Sequence, residues 1–216
     1  MLQKKRLLEK SRLYAILDKK AAGSKSLLDI AASLKNGGID IIQLRNKESK
    51  KEEILENAFL IRKMLLPGKT IFIVNDYPDI AKISDADGLH LGRHDTSITR
   101  ARQILGPHKI IGVSCQTLAQ ALKAQREGAD YLGIGPIYPT PAKPEIKKGL
   151  GLGLLKELRK RIKIPFFVIG NINSANIDDV LSAGAERVAI CRAILQTNNI
   201  SSAARFFYNK LHGKFK

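Results

Sequence analysis

Gln43, Arg45 and Lys47 stand at alternate positions of the run Gln43-Leu44-Arg45-Asn46-Lys47, just after the apolar pair Ile41-Ile42. Alternation along an extended segment sends all three side chains to one side. An amide, a guanidinium and an ammonium facing one space suit a polyanion such as pyrophosphate, since arginine grips oxygens in a fork. A plain charged loop is the competing reading. Two carboxylates add to the pattern: Asn75-Asp76 follows one apolar run, and Gly92-Arg93-His94-Asp95 follows the next. Neighbouring parallel strands lie roughly 4.8 Å apart, so carboxylates just beyond their ends can approach one cation. Mg²⁺ is held in this way, by one or two carboxylates with water and substrate phosphate completing its shell. Each aspartate is equally a favoured helix N-cap, Asp76 for a helix beginning near Tyr77 and Asp95 for one near Thr96.

Other residues qualify less sharply. His90 precedes Leu91 in an apolar run, and a lone histidine in such a place is more often a hydrogen-bonded interior group than an acid or base. Ser114 ends the run before it with a hydroxyl suited to a phosphate or a base edge. The segment from Gly133 to Lys143 is a Gly- and Pro-rich loop that delivers Thr140 and Lys143 to a common place. Gly170-Asn171-Ile172 and Cys191-Arg192-Ala193 follow the last two apolar runs. Backbone N–H groups and a short helix at such points often form a phosphate site, although Gly170 also fits an ordinary left-handed turn.

These groups need a scaffold that brings the ends of many strands to one rim. Strand-like runs recur at Leu13–Leu17, Ile39–Gln43, Thr70–Val74, Gly88–Leu91, Lys109–Val113, Tyr131–Gly135, Pro165–Ile169 and Arg187–Ile190. Stretches of helical periodicity, such as Leu27–Leu34 and Glu53–Leu65, alternate with them. That alternation calls for a parallel sheet with crossover helices. Eight such units in one short chain predict the α/β class and a single (β/α)8 TIM barrel. Asn36-Gly-Gly-Ile-Asp, Glu127-Gly-Ala-Asp and Ala183-Gly-Ala-Glu read as one helix-to-strand turn used three times. In this architecture the loops after the strands carry the chemistry, and the residues named above fall there.

The 216 residues form one domain, 1–216, with a basic N-terminal segment (1–12) and a basic tail (210–216) expected to fray. A net charge of +17 is what a nucleic-acid binder displays, but the cations are scattered over helical segments with 6% aromatic residues and no Trp. A solvated basic surface that attracts small anionic substrates is the better reading, with no specific nucleic acid and no membrane as partner. Cys115 and Cys191 read as free thiols, and no paired-Cys spacing supports zinc. No secretory signal pattern opens the chain, so a cytoplasmic protein is expected, and a homo-oligomer is left open.

Taken together, Gln43-Leu-Arg-Asn-Lys47, Val74-Asn-Asp76, Asp87-Gly-Leu-His-Leu-Gly92 with Asp95, Gly112-Val-Ser114, Gly135-Pro-Ile-Tyr-Pro-Thr140 with Lys143, and Gly170 resemble the thiamine phosphate synthase family over roughly residues 13 to 208. The resemblance implies a transferase that joins hydroxymethylpyrimidine diphosphate to a thiazole phosphate with Mg²⁺, releasing pyrophosphate. It implies that Gln43, Arg45, Lys47, Asn75, Ser114 and Lys143 hold the pyrimidine diphosphate, and that Asp76 and Asp95 hold the metal. Thr140, Gly170 and the Cys191-Arg192 pair would hold the thiazole phosphate. Leu44, Asn46, Pro141 and Ala142 fall within the same binding segments, and Arg45, Lys47, Ser114 and Lys143 are the catalytic candidates. The chain departs from the family at Asn46, Arg93, Gln116, Ala142, Asn171 and Arg192. Arg192 would replace affinity lost with a hydroxyl at Ala142, and Asn171 would still turn through the left-handed region. The related thiazole tautomerase, a metal-independent isomerase, has His where this chain has Pro136 and lacks the second metal aspartate. A non-catalytic binder of phosphorylated ligands is the remaining alternative.

Overall fold

The computed structural model describes residues 2–141 and 147–213. Eight parallel strands close into a barrel in sequence order. They are β1 (Leu13–Asp18), β2 (Ile41–Arg45), β3 (Ile71–Asn75), β4 (Gly88–Leu91), β5 (Ile110–Cys115), β6 (Tyr131–Ile134), β7 (Phe166–Ile169) and β8 (Val188–Ile190). The helices are α1 (Leu2–Lys10), α2 (Lys19–Ala22), α3 (Leu27–Asn36), α4 (Lys51–Leu65), α5 (Pro78–Ile83), α6 (Ile98–Leu105), α7 (Leu118–Arg126), α8 (Leu154–Arg161), α9 (Ile177–Ser182), α10 (Arg192–Leu195) and α11 (Ile200–His212). The expected TIM barrel is therefore present.

Period-two alternation divides each strand between two cores. Leu13, Ala15 and Leu17 of β1, and Ile42 and Leu44 of β2, pack outward against the helices. Tyr14, Ile41, Ile71, Ile73, Ile110, Tyr131, Phe167 and Ala189 fill the lower half of the barrel. Three rings dominate that filling: Tyr14 and Tyr131 each meet Phe167 edge-on, at 5.3 and 5.8 Å between centroids, the arrangement aromatic quadrupoles favour. Tyr131 fits because the residue facing it on β5 is Gly112, where an added Cβ would lie 2.0 Å from the ring.

Aspartates at the N-terminal ends of the strands act as clips. Asp40 accepts the backbone N–H groups of Arg12 and Leu13, Asp87 that of Phe72, and Asp130 that of Ile111. They satisfy donors at strand starts that the ladders leave open, and they lie at the end opposite the functional loops. The basic N-terminal segment uses the same clips. It forms α1, whose Lys4 and Lys5 pair with Asp87 at 3.2 Å and Asp130 at 2.6 Å, while Leu8 enters the inner cluster from below.

Several element boundaries differ from the sequence expectation. β2 begins at Ile41 rather than Ile39, because Ile39 N–H bonds back to Leu34 of the preceding helix and so belongs to the turn. The strand then runs on to Arg45. β1 and β3 likewise extend one residue further, to Asp18 and Asn75, and β5 two, to Cys115. The repeated turn takes left-handed glycine conformations at Gly38, Gly128 and Gly184, as its sequence requires. Lys210, expected to open a fraying tail, continues α11 and pairs with Asp178 at 2.7 Å. Residues 214–216 lie outside the described residues.

Candidate active site

Above the aromatic layer the barrel opens into a cavity of about 760 Å³ at the C-terminal ends of the strands. Gln43, Arg45, Lys47, Asn75, His90, Ser114, Thr140, Pro141, Gly170, Cys191 and Arg192 all border it. Inward-pointing strand positions above the apolar layer supply five of them, Gln43, Arg45, Asn75, His90 and Ser114, and the segments that follow the strands supply the other six. A second depression of about 600 Å³ lies at the other end, floored by Leu8, Asp130 and Pro165.

Alternation in β2 works as the sequence implied for Gln43, Arg45 and Lys47. It also removes their neighbours from the cavity. Leu44 packs in the outer core, and Asn46 is buried with its Oδ1 accepting the N–H groups of Glu48 and Ser49. Asn46 therefore shapes the turn that carries Lys47 to the rim, and its Nδ2 is buried with no hydrogen-bond partner among the described residues. Neither Leu44 nor Asn46 borders the cavity.

Arg45 forms an ion pair with Asp18 at the end of β1. Asp18 also caps α2 by accepting the Ala21 N–H at 2.9 Å, so one carboxylate both starts a helix and aims the guanidinium. Asp18 escaped the sequence reading, although the rule that strand C-termini carry function selects it.

The helix-cap reading of the two metal candidates is not what the fold uses. α5 starts after Tyr77 with Pro78 at its first turn, and α6 is capped by Ser97, which accepts the Arg100 N–H. Asp76 instead adopts a left-handed backbone with φ 65°, a conformation short polar residues tolerate. Its N–H bonds to the His90 carbonyl at 2.9 Å, and its carboxylate pairs with Lys47 at 2.8 Å. Asp95 accepts the Gly92 N–H at 2.6 Å. Burial first, and then the neighbouring Asp95 carboxyl, raise the Asp76 pKa, with Lys47 opposing. Two aspartates pressed together and partly desolvated favour a shared cation. Among the described residues no group of three or more His, Cys, Asp and Glu side chains gathers, so a cation here would draw on substrate and water for its other ligands.

Across the mouth, Gly170 has φ 118°, and a Cβ there would meet Pro136 Cα at 2.4 Å. Only glycine lets β7 turn so close to the β6 loop. Asn171 follows with φ 52°, keeping the left-handed turn despite its departure from the family. Arg192 donates to Thr140 Oγ1 at 2.5 Å, joining the β8 and β6 loops at the cavity wall. Burial and the Asp18 charge push the Cys191 thiol up to about 12, so it stays protonated. Cys115 and Cys191 are both free thiols. Ala142 and Lys143 lie outside the described residues, and Arg93 is exposed beside His94.

His90 is the hydrogen-bonded interior residue expected of it. Its Nδ1 lies 2.9 Å from Tyr131 Oη and its Nε2 2.9 Å from Ser114 Oγ. Tyr14 and Tyr131, which the sequence reading did not single out, complete a polar floor: their hydroxyls are 2.8 Å apart, and Gln43 Nε2 donates to Tyr14 at 2.8 Å. Their signal lay in the polar tips of aromatics at inward strand positions.

Comparison with known proteins agrees with this geometry. A family described as thiamine monophosphate synthase matches residues 13–194. A thiamine-phosphate synthase of Shouchella clausii is 38% identical over 194 residues, which are 90% of this chain and 93% of its own. One of Methanospirillum hungatei is 42% identical over 195 residues, 90% of this chain and 95% of its own. The solved structure of a thiamine phosphate pyrophosphorylase from Pyrococcus furiosus superposes with a TM-score of 0.87 at 32% identity, covering 97% of this chain and all of that one (100%). With a family match over residues 13–194 and relatives 38% and 42% identical over 90% of its length, the chain belongs to the thiamine monophosphate synthase family.

Proposed function

We propose that this protein is a thiamine phosphate synthase: it joins a hydroxymethylpyrimidine diphosphate to a thiazole phosphate and releases pyrophosphate. The observation that carries the reading is the pairing of two anion-directed sites in one cavity. Gln43, Arg45 and Lys47 line it on the side of β2, with Asp76 behind Lys47 at 2.8 Å and not itself in the lining, and Thr140, Gly170 and Arg192 line it on the side of β6 to β8.

Asp76 and Asp95 would hold Mg²⁺, which when bound supplies positive charge to the leaving diphosphate. Arg45, aimed by Asp18, and Lys47, tied to Asp76, place two further cations where that diphosphate gains negative charge as the methylene C–O bond breaks. Charges fixed in advance stabilise the transition state more than the ground state. The electron-rich aminopyrimidine disperses the positive charge left on its methylene carbon, and the thiazole nitrogen forms the new C–N bond. No protein nucleophile is required. Ser114 and Asn75 hold the pyrimidine side, Lys143 joins them, and Thr140, Gly170, Cys191 and Arg192 receive the thiazole phosphate, so positioning is the enzyme's other contribution.

We infer a cytoplasmic enzyme acting on small phosphorylated metabolites, a reading that its two free thiols support. Among the described residues no helix is long and apolar enough to cross a membrane. The tautomerase reading would put an imidazole where Pro136 borders the cavity. Incubating the purified protein with both substrates and Mg²⁺ tests the proposal: pyrophosphate and thiamine phosphate should form in equal amounts. Isomerisation of a thiazole carboxylate without pyrophosphate, or binding without turnover, overturns it.

A further inference from the structure

Beneath the cavity, five side chains form one continuous hydrogen-bonded path: Gln43, Tyr14, Tyr131, His90 and Ser114. All five border the cavity floor, and the two phenols at its middle are buried against Phe167 and the apolar layer. Both phenols are fully buried, and burial raises their pKa values far enough that they remain neutral O–H groups. Each hydroxyl has one proton to give, and a buried proton without an acceptor is costly.

That constraint sets a direction. Gln43 Nε2 donates to Tyr14 Oη, so the Tyr14 proton must go to Tyr131, its hydroxyl neighbour at 2.8 Å. The Tyr131 proton then goes to His90 Nδ1 at 2.9 Å. A neutral imidazole that accepts at Nδ1 carries its own proton on Nε2, which donates to Ser114 Oγ at 2.9 Å. Ser114, already accepting from below, turns its O–H upward into the cavity.

We propose that Tyr14 and Tyr131 are positioning residues: through the His90 tautomer they compel Ser114 to act as a hydrogen-bond donor toward the pyrimidine diphosphate. A donor at this point meets a ring nitrogen lone pair or a diphosphate oxygen, and it rejects ligands that present an N–H there. A serine free to rotate would offer either role and discriminate less. The inference rests on the proposed synthase reading for the identity of the ligand, while the direction of the path stands on the protein alone.

The test separates the two. ¹⁵N NMR of histidine-labelled, substrate-free protein resolves the tautomer of His90 among the four histidines, assigned with His90→Gln. The expected wild-type state is the neutral Nε2–H form. In Tyr131→Phe the donor to Nδ1 is gone and the signal should move toward a mixture of tautomers. In Tyr14→Phe the Tyr131 hydroxyl still reaches His90, so the Nε2–H form should persist. Kinetically, Tyr131→Phe should raise KM for the pyrimidine diphosphate about tenfold, leave KM for the thiazole phosphate within about twofold, and exceed the effect of Tyr14→Phe. An Nδ1–H wild-type signal, or a tautomer unmoved by Tyr131→Phe, overturns the proposal. If that variant fails to fold, the wild-type tautomer alone decides. An Nε2–H signal in a protein without synthase activity would sink the functional reading and leave the relay standing.

Discussion

Lys47 holds the Asp76 carboxylate at 2.8 Å, and the Asp95 side chain, from beyond the end of the neighbouring strand, acts on the same carboxylate from another side. Burial and the neighbouring Asp95 both disfavour the charged form of Asp76, and Lys47 opposes them. Asp95→Asn removes one charge and keeps an oxygen for the Gly92 N–H. We expect the metal-free variant to melt about 2–4 °C above wild type, as a gain near 1 kcal/mol implies for a chain of this size. Mg²⁺ should raise the melting temperature of wild type and not that of the variant, and synthase activity should fall about 100-fold or more. Differential scanning fluorimetry with and without Mg²⁺, alongside a pyrophosphate assay, checks all three; equal Mg²⁺ shifts in both proteins would remove Asp95 from the metal site.

Arg45 owes its aim to Asp18, which borders the same cavity. A lysine at 45 keeps the charge but loses the planar fork that can hold Asp18 and a phosphate oxygen at once. Arg45→Lys is expected to lower kcat about 100-fold with little change in unfolding midpoint. Steady-state kinetics beside urea unfolding decides, and near-normal kcat would show that charge alone suffices.

Gly112 is fixed by the ring it faces. Gly112→Ala sets a methyl 2.0 Å from the Tyr131 ring, where three interlocked aromatics allow little movement. Overpacking of this kind costs about 1–3 kcal/mol, measurable as a lowered urea midpoint. The double variant Gly112→Ala with Tyr131→Leu should recover part of that loss.

The thiols give a pH test with a definite sign. Burial pushes Cys115 up to about 11 and Cys191 up to about 12, and only the thiolate is alkylated. Since a raised thiol pKa leaves the protonated form dominant until pH approaches that value, iodoacetamide should react slowly at pH 7. The rate should then climb about tenfold per pH unit through pH 9.5 without a plateau. Mass spectrometry of the quenched protein reads this, and levelling off below pH 9 would contradict the buried, neutral state of Cys191.

Much of this was legible from residue order because a parallel barrel is repetitive: each strand is a short apolar run and each helix a longer periodic one. The site residues could be selected because the fold admits chemistry at one end. What stayed hidden depended on partners distant in sequence. Ile39 looks like a strand residue by its apolarity, yet it bonds to Leu34 in the preceding turn. Lys4 and Lys5 read as surface charge until Asp87 and Asp130 arrive beside them. Tyr14 and Tyr131 are 117 positions apart, and nothing local marks either as polar machinery. Asp76 and Asp95 were ambiguous between cap and ligand, and the start of α5 after Tyr77 and the Ser97 cap of α6 removed the cap reading.

Leu8, Tyr14, Tyr131 and Phe167 fill the lower barrel from wall to wall, and that has a kinetic corollary. Among the described residues this packing closes the barrel from below, so reactants and products share the cavity at the upper rim. Thiamine phosphate and pyrophosphate must each vacate the space that an incoming molecule needs, and competition for that space makes product inhibition an expected property of the architecture.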